Sequence, residues 1–90
     1  MESYNGYQNR ETYDTVLWCQ NDEGLYRMFR GQDAQTIKIQ FQEWSEQLVT
    51  EPLELTEELR SVLRDIGSLW RVNWYEVSDA LTDETEEESV

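Results

Sequence analysis

Carboxylates are the reactive groups this chain has in quantity: twenty Asp and Glu stand against seven Lys and Arg, and there is no histidine. Without imidazole, a Ser-His-Asp or Cys-His nucleophile cannot be assembled and no histidine metal ligand exists. Cys19 is the single cysteine, too few for a thiolate zinc site, and no neighbouring Lys, Arg or His lowers its pKa. It reads as a small apolar residue. Gly6, Gly24, Gly31 and Gly67 are too scattered for a P-loop or a dinucleotide fingerprint. Asp22-Glu23 and Glu86-Glu87-Glu88 lack the alternating oxygen ligands and turn glycine of a calcium loop. Paired carboxylates can perform acid–base work only where an apolar pocket splits their pKa values, and here they crowd into polar sequence. The chain is expected to act by binding rather than by catalysis, with no metal and no cofactor.

The net charge of −13 selects among partners. Such a field repels nucleic acid and anionic membranes and accelerates encounter with a basic protein surface. The candidate binding face is Glu76, Asp79 and Asp83 on the last helix, extended by Glu84 and by Glu86 to Glu88. At ~1.5 Å rise per residue, Glu76 to Asp79 spans ~4.5 Å and Asp79 to Asp83 ~6 Å along the axis, comparable with phosphate separations along a nucleic-acid strand. A row of this kind could occupy a groove built for DNA or RNA. The same run also fits an ordinary solvated face. The aromatics offer a second candidate surface: Trp44 and Trp74 fall on core stripes, whereas Trp18 lies off the Tyr13/Val16/Leu17 face and pairs with Tyr26 as an exposed anchor. A wide core stripe accounts for Trp18 as well. The arginines read as surface partners of nearby acids.

The elements that position these residues follow from periodicity. Ninety residues make one domain, divided into a flexible lead-in (1–8), a helical domain (9–81) and a disordered acidic tail (82–90). In the domain, Asn9 caps a helix running to Gln20, with Tyr13, Val16 and Leu17 on one face. Asn21-Asp22-Glu23-Gly24 opens a short second helix, with Leu25, Met28 and Phe29 inward, that stops at Gly31. Residues 33–50 fit a helical stripe of Ala34, Ile37, Phe41, Trp44 and Leu48. Residues 36–41 also alternate like a strand, and both readings stay open. Pro52 breaks the chain. Thr56-Glu57-Glu58 starts the strongest helix, whose apolar face of Leu59, Val62, Leu63, Ile66, Leu69 and Trp70 extends to Arg71. Asn73 to Glu76 resembles a capping box before Trp74, Val77 and Leu81. The expected fold class is therefore all-α, a compact bundle of four or five short helices. No apolar run long enough for a signal or a membrane span is present, and the unpaired cysteine fits a reducing cytoplasm.

The run Asn9-Arg-Glu-Thr-Tyr13, the pair Leu17-Trp18, Asn21-Asp22-Glu23 and Tyr26 resemble the opening of a family of small acidic proteins of phages, plasmids and bacteria. Val72-Asn-Trp-Tyr-Glu76 is similar to that family's closing segment, and Tyr13 stands where the family usually has Trp. Together the two segments cover about a third of the chain. The resemblance implies a helical fold in a mobile-element setting. On that footing the leading expectation is a nucleic-acid-mimicking inhibitor, of anti-restriction or anti-CRISPR type, aimed at a basic nucleic-acid-binding enzyme or effector. The alternative is a structural or regulatory adaptor, itself open to homo-oligomerisation, that binds through exposed aromatics at Trp18 and Tyr26.

Overall fold

Each helix begins where a short polar side chain meets backbone amides that have no partner of their own. Asn9 accepts from the Thr12 amide, Asp22 from Leu25, Asp33 from Thr36 and Thr56 from Leu59, while Asn73 accepts from Tyr75 and Glu76. A computed structural model describes residues 6–89, with side chains described through Thr82. These caps open five α-helices: α1 (Arg10–Asn21), α2 (Glu23–Phe29), α3 (Ala34–Thr50), α4 (Glu57–Ile66) and α5 (Trp74–Ser89). Two 3-10 turns, Pro52–Glu54 and Leu69–Arg71, lead into α4 and α5. Among the described residues there is no β-strand, so the fold is an all-α bundle.

Residues 36–41 lie inside α3. The helical stripe wins because Ala34, Ile37, Phe41 and Trp44 all reach the core, whereas Ile39 faces outward. Phe41 is the hub of the aromatic packing. Its ring centroid lies 5.4 Å from Phe29, 5.2 Å from Trp44 and 5.3 Å from Trp74, which joins α2, α3 and α5 in one cluster. Val62, Leu63 and Ile66 of α4, Val16 and Cys19 of α1, and Val77 and Leu81 of α5 close the rest.

Helix α4 is shorter than the sequence pattern suggests. It stops at Ile66 because Gly67 takes φ +82, a conformation L side chains rarely adopt, and its amide closes the helix on the Leu63 carbonyl. The chain then turns, and Trp70, expected on the apolar face of α4, points into solvent. At the amino end, Tyr7 of the expected lead-in packs against the core, 6.1 Å from Tyr13. At the carboxyl end, the α5 backbone is helical to Ser89, across the stretch that composition assigns to the acidic tail.

Candidate functional site

The two sequence segments that carry the family resemblance fold against each other. The Asn9 side chain caps α1 through its oxygen and donates from Nδ2 to the Arg71 carbonyl at 2.8 Å. Thr12, fully buried, donates its hydroxyl to Asn9 Oδ1 at 2.7 Å and accepts the Asn73 amide at 2.9 Å. The Gln8 amide donates to Glu76 Oε1 at 2.9 Å, and Asn73 Nδ2 donates to Gln8 Oε1 at 2.8 Å. Glu11 meets the Arg71 guanidinium at 3.3 Å. Partial burial works against ionisation of Glu11, but a backbone hydrogen bond and Arg71 outweigh it, so its carboxyl sits below the ordinary value.

These residues form a clasp between the start of α1 and the start of α5. The capping box is thereby modified: the Glu76 side chain, in place of reaching back to Asn73, is drawn across to Gln8, and Thr12 takes the Asn73 amide. Replacing Thr12 with valine keeps the shape and removes the hydroxyl, leaving the half-buried Asn73 amide without its acceptor. A loss of about 1–3 kcal/mol is expected, measured by urea unfolding. An unchanged midpoint would contradict the clasp.

Of the residues proposed for binding, the structure places Glu76 and Asp79 one turn apart on α5 and packs Trp18 and Tyr26 against the core. Glu76 is engaged in the clasp and half-buried, and Asp79 is exposed one turn further on. The side chains of Asp83 and Glu84 fall outside those described. Trp18 is half-buried against the core and donates its indole N–H to Asp65 at 3.0 Å. Its edge, with Leu17, Asn21 and Asp65, lines a shallow groove of about 270 Å³. Tyr26 also packs on the core, beneath the Arg30 guanidinium at 5.3 Å. The aromatics that stand free of the core are instead Trp70, 81% exposed, and Tyr75, 80% exposed. Trp70 stacks with Arg71 at 5.6 Å. Tyr75 borders a groove of about 340 Å³ together with Gln35, Lys38 and Asn73.

Charge is distributed in the same uneven way. Arginines neutralise the acids of α1 and α2: Arg10 pairs with Glu11 and Asp14, Arg71 with Glu11, and Arg27 with Glu23. The arrangement differs along the second half of α3, the Pro52–Glu54 turn and the first turn of α4. Glu43, Glu46, Glu51, Glu54, Glu57 and Glu58 are all exposed there, and no Lys or Arg occurs between Ile39 and Leu59. Arg60, expected to pair with a neighbouring acid, donates to the Pro52 and Leu55 carbonyls at 2.9 and 3.2 Å and pins the turn. Glu58 hydrogen-bonds the Asp22 carboxylate across the α2–α4 junction. That contact raises the Glu58 pKa and lowers that of Asp22. The interval without Lys or Arg was visible in the sequence, and the turn at Pro52 brings its two helices, α3 and α4, into contact.

Among the described residues, no cluster of Cys, Asp and Glu is arranged to hold a metal ion, and no helix is long and apolar enough to cross a membrane. Cys19 is buried, and that burial, reinforced by the Asp22 carboxylate, pushes its thiol up to about 12. The folded thiol therefore stays protonated well above its unfolded pKa, and stability is lost as pH rises from about 9 toward 12. At about pH 8, iodoacetamide should leave Cys19 unmodified in the native protein and alkylate it in denaturant. Equal rates in the two states would contradict its burial.

No curated protein and no solved structure matches this chain. A family model described as a family of unknown function (DUF7249) matches residues 1–88, which takes in both arms of the clasp, and the chain belongs to that family.

Proposed function

We propose that this protein is a small acidic binding domain whose target is a basic protein surface, and that it inhibits a nucleic-acid-binding enzyme or effector by occupying the groove meant for DNA or RNA. One observation carries the reading: Glu43, Glu46, Glu51, Glu54, Glu57 and Glu58 are all exposed along the second half of α3, the Pro52 turn and the first turn of α4, while Arg60, which borders Glu57 and Glu58 together with Arg64, is spent on the Pro52 and Leu55 carbonyls. Exposed carboxylates bring no gain to folding when unpaired, and like charges at close range oppose it. Glu43 and Glu46 stand ~4.5 Å apart along α3, in the range of strand phosphates. The reading moves the working face from the last helix, where Glu76 is spent on the clasp, to this edge. A mobile-element origin, implied by the resemblance of the two end segments, is compatible with an anti-restriction or anti-CRISPR role.

The test is competition. A partner captured on the immobilised chain is purified and loaded with labelled DNA or RNA, and the free chain is titrated in. The chain should displace the nucleic acid. Retention of nucleic acid at saturating chain would overturn the inhibitor reading.

The adaptor reading keeps one supporting observation, the exposure of Trp70 and Tyr75, and transfers from Trp18 and Tyr26 to that pair. Trp70→Ala separates the two readings: an adaptor loses its partner, while the acidic edge keeps it.

A further inference from the structure

The outward side of α3 carries more than charge. Ala34, Ile37, Phe41, Trp44 and Leu48 take the core side, so at 3.6 residues per turn Ile39, Glu43, Glu46 and Thr50 share the opposite sector and Val49 lies on its flank. Val49 is 81% exposed, and Leu53, in the following turn, is 89% exposed. Ile39 is also exposed and shares a groove of about 310 Å³ with Met28, Gln40 and Glu43. Single apolar side chains on a surface need no explanation. A row of them on one helix face, with glutamates between, is a different case. β-Branched residues at exposed helix positions are poorer helix formers than Ala, Glu or Lys, so the helix itself does not favour Ile39 and Val49.

We propose that the outer face of α3 is the seat of a basic amphipathic helix of the partner protein, whose apolar side chains rest on Ile39 and Val49–Leu53 while its Lys and Arg side chains engage Glu43, Glu46 and Glu54. This inference rests on the reading of the acidic edge as a partner-binding surface, and it adds the partner's chemistry. Ile39 and Val49 lie ~15 Å apart along the axis, which sets the anchor spacing at about three helical turns. Charge decides the occupant. A second copy of this face would set Glu43 and Glu46 against their own kind, and an anionic membrane is repelled in the same way. A helix with Lys and Arg flanking its apolar positions is complementary in both respects.

The experiment uses two synthetic helical peptides of about 18 residues and equal positive charge. One carries leucines three turns apart, and the other has glutamine at those positions. Titrated at low ionic strength into the intact protein, the leucine peptide should bind about tenfold tighter or more. Val49→Ser with Leu53→Ser should remove that advantage while leaving the glutamine peptide's affinity unchanged. Thermal melting of the double variant checks that the fold persists, as is expected for exposed sites. If the glutamine peptide binds and leucine adds nothing, or if the double variant keeps the difference, the amphipathic partner is overturned and the acidic surface stands. If neither peptide binds, the acidic reading fails with it.

Discussion

Replacing Phe41 with alanine is expected to lower stability by about 3–5 kcal/mol, the largest effect of any single substitution considered. Phe41 is fully buried and touches rings contributed by three separate stretches of chain: Phe29 of α2, Trp44 of α3 and Trp74 of α5. Removing it forfeits its own transfer from water and opens a cavity that stacked and edge-on neighbours cannot easily fill. A domain of this size has about 5–15 kcal/mol in hand, so the variant would be marginal. Its melting temperature should fall by at least about 12 °C. Leu53→Ala, at a site 89% exposed, is the control and should stay within about 0.5 kcal/mol of the parent. Similar melting temperatures for the two variants would mean that the aromatic cluster is not the centre of the core.

The second large effect concerns binding. Changing Glu43, Glu46 and Glu54 to lysine should weaken the complex with a captured basic partner by about 100-fold. The estimate takes roughly 1 kcal/mol from each reversed charge. The same reversal at Glu23 is the control, because Glu23 is already paired with Arg27. It should change affinity by less than about threefold. None of the three reversed residues is buried or caps a helix, so the fold should persist. A triple variant that binds as well as the parent would remove the edge from the interface. If Glu76→Gln and Asp79→Asn then abolished binding, the working face would return to α5.

The helices were legible because their ends are written in side chains: Asn9, Asp22, Asp33, Thr56 and Asn73 each sit one residue before a helix. The strand-like alternation of Ile37, Ile39 and Phe41 is explained by two functions on one helix. Ile37 and Phe41 are core neighbours one turn apart, and Ile39 belongs to the outer face. Periodicity alone cannot separate an apolar residue kept for packing from one kept for contact. The extension of α4 to Trp70 failed for a related reason, since the apolar count runs past Gly67 while the backbone does not. Trp18 looked free because its partners, the core and Asp65, come from distant parts of the chain. The acidic site was the least legible part. Charge density along the sequence peaks in residues 82–90, whereas the proposed edge from Glu43 to Glu58 spans two helices that meet through the turn at Pro52. The two segments that carry the resemblance contain the residues of the clasp, whereas family membership rests on the match over residues 1–88.

The claim on which everything else depends is that the exposed carboxylates of the α3–α4 edge make the contact. Measuring the affinity for a captured partner as ionic strength rises from about 0.01 M to about 0.15 M, where the screening length shrinks from roughly 30 Å to roughly 8 Å, tests it directly. A fall of tenfold or more, absent in the Glu43/Glu46/Glu54 charge-reversed protein, is the expected result. An affinity that does not change across that range would contradict the account.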